Sequence, residues 1–334
     1  MVIASKIDIS ENTLRNRGRV LDILLIDRTR HKPSRPSNII WATDSYQKLF
    51  KNKYEKKIGD EFAPKKQIKR EQVTGVNGKL IQPRAAKSKE EQKYRTKDKA
   101  EVFTPLHVVN DMNLAIDKAS KNYPVHKNNW VEYIKELRLE ITCGEAPFIT
   151  GRYNPTAHTG IVITPKNRVG FFDRKLQQVN KHAVTKKEWL EYAEIALKAT
   201  YGYEWQGDNL LIARENVLLT LDDFYKDFCI KKLKLKSKQN LTDKQLEDFA
   251  EIISWNIFQM DGLKYVVPMS CEGKTAHKIT QISILPIEEE KQEQLSICEG
   301  CTTGNASKHT GKYVRIMDWH ENKADYFYKL LDVR

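Results

Sequence analysis

Apolar residues recur along this chain at more than one period, and the order of the periods predicts the fold. Val20–Ile26 (VLDILLI) is almost continuously apolar and follows Arg15, Arg17 and Arg19. SNIIWATDSY, residues 37–46, reads as a strand followed by a turn. TGVNGKLIQPR, residues 74–84, carries the Asn-Gly pair of a hairpin turn. Residues 48–70 are lysine-rich, and AAKSKEEQKYRTKDKAE is charged enough to be expected on the surface. No internal repeat is visible.

After EVFTP the pattern changes. Leu106–Asp117 has helical spacing, with Val108, Met112 and Ala115 along one face, and Pro105 suits a helix start. IKELRLEIT then reads as a strand running into CGEAPF. TKKEWLEYAEIALKATYGYEW reads as a helix from Lys186 to near Thr200, then a short strand. GDNLLIARENVLLTLDDFY is a helix with Asp208 or Asn209 as its cap. TDKQLEDFAEIISWNIFQMDGL repeats the scheme and ends a strand at Asp261. Alternating helix and strand predicts an α/β fold, a mostly parallel sheet with helices on both faces. The reading divides the chain into a basic region 1–100, a sheet domain 101–265 and a C-terminal extension 266–334.

Composition narrows the class. Hydrophobic content of 40% permits a packed core, and 30% charge keeps the surface wet. The longest apolar run contains an aspartate and is too short to span a bilayer. The first residues show no basic-then-apolar signal pattern, so a cytoplasmic protein without a membrane partner is expected. Charge is uneven: residues 1–100 hold 25 Lys+Arg against 12 Asp+Glu, whereas residues 101–334 hold 32 of each. The whole excess of +13 therefore lies in the first hundred residues. Such a surface attracts polyanions, with nucleic acid the first candidate, although a solvated basic arm accounts for the same numbers. Five cysteines, an odd number in a long chain, argue against a disulfide framework.

In parallel sheets, ligands bind beyond the carboxyl ends of the strands. Three predicted strand ends carry suitable groups: Glu140 to Gly144, Glu204 and Asp261. A glycine lets backbone approach a ligand closely. One carboxylate can accept both hydroxyls of a ribose, and another the exocyclic amine of an adenine. An Asp after a strand is, taken alone, more often a cap or turn residue.

Taken in order, these segments resemble the adenine-N6 DNA methyltransferases of restriction–modification systems. VFTP, residues 102–105, resembles the family's FTP motif, which contacts the methionine end of S-adenosylmethionine. LEITCGEAPF, residues 139–148, resembles the LDPACGSGxF loop, matching at Leu139, Cys143, Gly144 and Phe148, with Glu140 in place of an aspartate. YGYEWQGDNLLIARENVL is similar to the segment whose acidic residue, here Glu204, binds the ribose. NIFQMDGL looks like the third cofactor motif, with Asp261 near the adenine. The resemblance spans roughly residues 100–265. It implies a Rossmann-like methyltransferase sheet that acts on double-stranded DNA and holds S-adenosylmethionine through Phe103, Thr104, Pro105, Glu140, Cys143, Gly144, Phe148, Glu204, Trp205 and Asp261.

The chain also departs from the family. Ala146 and Pro147 replace a second loop glycine and its neighbour, which predicts a stiffer loop. Residues 149–180 form an insertion in which Arg152 and Tyr153 serve as part of a lid over the cofactor or merely pad the surface. The catalytic tetrapeptide, [Asn/Asp/Ser]-Pro-Pro-[Tyr/Phe/Trp], is absent. YNPT (153–156) lacks the second proline and stands out of order, and VRIMDW (314–319) has no proline. Catalytic residues are therefore unassigned. The favoured reading is a split enzyme, in which a second subunit carries the catalytic motif and target recognition. Its rivals are a non-catalytic nucleic-acid-binding relative of the same fold and an RNA methyltransferase. An interrupted parallel sheet would expose an unpaired edge, which favours a partner.

Near the end, SCEGKTAH and ICEGCTTGNASKH offer Cys271, Cys298, Cys301 and His309 as a zinc set, with His277 able to replace His309. A reduced thiol pair in a loop accounts for the same residues. Cys143 reads as a small packing residue in the cofactor loop.

Overall fold

The computed structural model describes residues 14–53, 56–99, 102–156, 161–237, 239–271, 275–276, 294–295 and 298–331. It is a mixed α/β structure. Six helices precede the sheet: α1 (Val20–Leu25), α2 (Ser45–Lys53), α3 (Lys56–Asp60), α4 (Lys89–Lys99), α5 (Leu106–Ala119) and α6 (Trp130–Lys135). Strand β1 (Arg138–Glu140) is followed by α7 (Phe171–His182) and α8 (Lys186–Lys198), which lead into β2 (Thr200–Glu204). Helices α9 (Gly207–Lys231) and α10 (Asp243–Asn256) then lead into β3 (Ile257–Gln259). Beyond the sheet lie the short antiparallel pair β4 (Thr275–Ala276) and β5 (Gln294–Leu295), α11 (Glu299–Thr303), and a hairpin of β6 (Arg315–Asp318) and β7 (Lys323–Tyr326).

The three central strands are all parallel and stand in the order β1-β2-β3. Local chemistry starts the helices between them. The Thr185 hydroxyl accepts from Glu188 N at 3.1 Å and opens α8. Thr242 and Gln245 form a reciprocal capping box at α10. Helix α9 is buried on almost every side because it runs through the interior, with every residue from Leu210 to Leu221 buried and its polar members Arg214, Glu215 and Asn216 partnered there. It begins at Gly207, where a Cβ would lie 2.1 Å from the Ile40 carbonyl oxygen.

Several sequence expectations give way to tertiary demands. The sheet has only three described strands. Its second face is covered by Val267, Val314 and Phe327 rather than by helices, and these pack on Tyr201, Tyr203 and Phe258. Neither Asp208 nor Asn209 caps α9: Gln206 precedes the helix, and the Asp208 carboxylate pairs with Arg95 and accepts from the Tyr46 hydroxyl. Helix α5 buries Val109, Asn113 and Asp117, leaving Met112 exposed. The polar members of that face decide its rotation. Asn113 Nδ2 donates to Phe148 O and Val169 O, while Asp117 pairs with Arg138 and Arg174. Residues 74–84 form short 3₁₀ turns, not a hairpin, and the Val73 and Gly78 carbonyls accept from the Arg15 guanidinium. Residues 37–46 make isolated bridges and the start of α2.

Among the described residues, the basic first hundred positions contribute directly to the main core. Leu21, Leu24, Trp41, Ile68 and Val73 share one apolar cluster with Ile149, Leu197, Leu218 and Ile253. Arg15 forms a fully buried pair with Glu215 at 2.7 Å. Part of the positive excess is thus internal, answered by acids of α9. Among the described residues no helix is long and apolar enough to cross a membrane.

Candidate functional site

Beyond Glu140 the chain turns back across the carboxyl end of β2. Cys143 N–H donates to Tyr203 O at 2.8 Å, and Ala146 N–H to Cys143 O at 2.7 Å. Three residues take the left-handed backbone region: Thr142 (φ 46°), Gly144 (φ 54°) and Ala146 (φ 65°). Glycine does so freely, whereas each of the other two costs about 1 kcal/mol. Strain of this kind persists only where the surroundings fix it. Ala146 is therefore held as a glycine would be, and the loop keeps its tight path. A Cβ on Gly144 would come within 3.2 Å of the Phe103 ring.

Two buried carboxyls close this loop. Glu140 accepts from Phe148 N at 3.2 Å and Ile149 N at 2.9 Å. Burial nevertheless pushes its pKa up to about 8. Glu204, at the end of β2, accepts from Gly144 N at 2.8 Å and Gln206 N at 3.1 Å. Burial pushes this carboxyl to about 7, against the pull of those amides.

Between the two strand ends lies a cleft of about 390 Å³. Phe103, Thr104, Glu140, Cys143, Gly144, Phe148, Glu204 and Trp205 all line it. Trp205 is fixed as one wall by its Nε1–H donating to Ala42 O at 2.9 Å. The Arg84 guanidinium lies 5.3 Å over the Phe103 ring. Two residues of the expected set stand apart from the lining. Pro105 is the residue before α5. Asp261 Oδ1 accepts from Leu263 N and Lys264 N, making it the anchor of the turn after β3. Arg152 and Tyr153 are likewise no lid. Arg152 bonds Asp223, and the buried Tyr153 hydroxyl bonds Glu145 and Asn216.

The lining also includes Thr142, Gln206 and Asn209, which sequence reasoning passed over as site residues. Gln206 Oε1 is buried without a hydrogen-bond partner among the described residues. Its signal was positional: a polar side chain between the acid-aromatic end of a strand and the first turn of the next helix.

The second candidate is the sulfur cluster at the far end of β3. Cys271, Cys298, Cys301 and His309 bring their ligand atoms within 4.8 Å of one another. Cys271 Sγ lies 3.2 Å from Cys298 Sγ and 3.6 Å from Cys301 Sγ, too far for a disulfide. His309 Nδ1 is 3.7 Å from each of the three sulfurs. A tetrahedral ion with metal–sulfur bonds near 2.3 Å needs edges of roughly this length. Thr310 N–H donates to Cys298 Sγ at 3.3 Å, and Gly300 lets His309 close in, since a Cβ there would sit 2.7 Å from the ring. These four side chains could hold a metal ion. His277, the alternative histidine, lies outside the described residues.

Set against protein-family models, curated proteins and solved structures, the chain matches none.

Proposed function

We propose that this chain binds S-adenosylmethionine at the ends of β1 and β2, as the cofactor-binding subunit of a split adenine-N6 DNA methyltransferase in a restriction–modification system. The observation that carries this reading is one cleft of small-molecule size on which Glu204, Gly144 and Trp205 converge at the carboxyl ends of parallel strands. An adenosyl group asks for an acceptor for its ribose diol, a flat apolar wall and an acceptor for its amine. Glu204, ionised above about pH 7, suits the first, and the Trp205 ring the second. The orphan Gln206 Oε1 suits the third better than Asp261, whose carboxylate is spent on a turn. Phe103 and Thr104 would face the methionine end.

When bound, S-adenosylmethionine supplies an electrophilic methyl group. The residues of this chain hold and orient it. The side chain and aromatic ring that take the target amine are expected from the second subunit, since the chain has no such tetrapeptide. Exposed Lys32, Arg35, Lys66 and Lys79 would meet DNA phosphates, giving salt-sensitive and mostly sequence-blind affinity. On this reading the three parallel strands are the cofactor half of a Rossmann-like sheet. The Cys271, Cys298, Cys301 and His309 set fits zinc, because soft thiolates with one imidazole are its usual tetrahedral shell.

Calorimetry with S-adenosylmethionine is the direct test, with binding expected and absence of heat at millimolar ligand fatal. Methyl transfer to DNA should appear only when the product of an adjacent reading frame is added, so robust transfer by the isolated chain would refute the split. Metal analysis should find one zinc per chain.

A further inference from the structure

We infer that the outer edge of β1 is the docking site of a second polypeptide, which adds a strand parallel to β1 and covers the apolar ground beside it. The two sides of the sheet are treated differently. Beyond β3, the Gln259 side chain bonds both Ile40 N and Ile40 O, so the N-terminal region closes that side. On β1, Arg138 N–H donates inward to Ala199 O, which turns the alternate backbone groups, those of Leu139, away from β2. Among the described residues no strand pairs with that edge.

The side chains along the edge are exposed as well as apolar: Leu137 by 76%, Leu139 by 42% and Ile141 by 63%. Leu137 joins exposed Ile116 across a shallow depression on one side. On the other it borders a largely apolar cleft of about 920 Å³ that reaches Trp319 and Leu330. Parallel sheets are stable when both faces and edges are covered, and an exposed flat edge invites pairing. The needed occupant is a polypeptide strand, because only backbone can satisfy the outward N–H and C=O of Leu139 while apolar side chains fill the flanks.

The occupant is a different protein rather than a second copy. Each chain carries a net charge of +13, all of it from the first hundred residues, so two copies repel as whole molecules although the edge itself lies in the neutral part. A two-fold pairing of β1 with itself would also run antiparallel. A neutral or acidic partner meets neither obstacle. Ile141 belongs to both the edge and the candidate cofactor cleft, so an added strand passes its mouth. That the partner brings the catalytic tetrapeptide rests on the function proposed above; the strand addition does not.

The test is to co-purify the full chain with the product of the adjacent reading frame and follow hydrogen–deuterium exchange. The amide of Leu139 should exchange freely in the chain alone and slow at least tenfold in the complex. Leu137→Asp and Ile116→Asp, both on exposed positions beside the edge, should weaken the complex at least tenfold, whereas Leu263→Asp, 88% exposed after β3, should not. Absence of a complex, a Leu139 amide already protected in the chain alone, or a homodimer broken by Leu137→Asp would each overturn the proposal. A complex formed at β1 that transfers no methyl group would uphold the interface and reject the methyltransferase reading.

Discussion

Replacing Glu204 by Gln separates a structural carboxyl from a ligand-binding one. In the folded chain the carboxyl moves from its ordinary 4.5 to about 7, so at pH 8 its ionised form is roughly 3 kcal/mol less favourable than in the unfolded chain. Glutamine removes that penalty. It also offers one acceptor oxygen where Gly144 N and Gln206 N now find two, so one buried N–H is stranded at a cost of about 1–3 kcal/mol. The two effects nearly cancel, and stability at pH 8 should change by less than about 2 kcal/mol. Ligand binding has no such compensation. Hydrogen bonds to a charged acceptor contribute about 1.5–3 kcal/mol, so affinity for S-adenosylmethionine should fall about 10- to 150-fold. Titration calorimetry across pH adds a second readout: wild-type affinity should rise as pH passes about 7 and Glu204 ionises, while the variant stays flat. Unchanged affinity in a folded Glu204→Gln protein, or a wild-type affinity indifferent to pH, would refute the assignment.

Other consequences follow from buried charge and from the sulfur cluster. Arg15→Met leaves Glu215 uncompensated in the core and should cost about 3–5 kcal/mol in urea unfolding; Arg15→Met/Glu215→Met should recover the part due to the unpaired carboxylate, while the cost of the stranded Val73 and Gly78 carbonyls remains; an additive double variant would show that the pair is not coupled. Glu140 and Glu204 bind protons in the folded state up to about pH 8 and 7, against 4.5 when unfolded, so stability should decline as pH rises from 5 to 8.5. A thermal midpoint that climbs over that range would contradict the buried geometry. Cys298→Ser should abolish stoichiometric zinc, and a chelator should lower the melting temperature of the wild type but not of the variant.

How much of this was legible beforehand depends on how local the cause is. Helix α8, the capped start of α10 and the succession of β1, β2 and β3 along the chain follow from neighbouring residues, so periodicity and caps announce them. Eight of the ten expected cofactor residues lie in one cleft because strand ends in a parallel sheet necessarily cluster. Periodicity failed at α5, where Asn113 and Asp117 are buried by partners far along the chain and outvote Met112. The Asn-Gly signal failed at residues 74–84, where the Gly78 and Ile81 carbonyls are claimed by Arg15. Asp261 and Gln206 could not be told apart in the sequence, since both are acceptors after a strand; only three-dimensional placement shows Asp261 serving a turn and Gln206 among the residues that line the cleft.

By itself the sequence determined the succession of helices and strands, the uneven charge and the types of ligand atom on offer, because each is a property of residues near one another in the chain. Tertiary structure decided the rest: that much of the basic region belongs to the core, that four sulfur and nitrogen atoms meet, and that no strand among the described residues pairs with the outer edge of β1. Those outcomes depend on contacts between residues distant in the chain, from the 38 positions between Cys271 and His309 to the 200 between Arg15 and Glu215, whose energies no local pattern encodes.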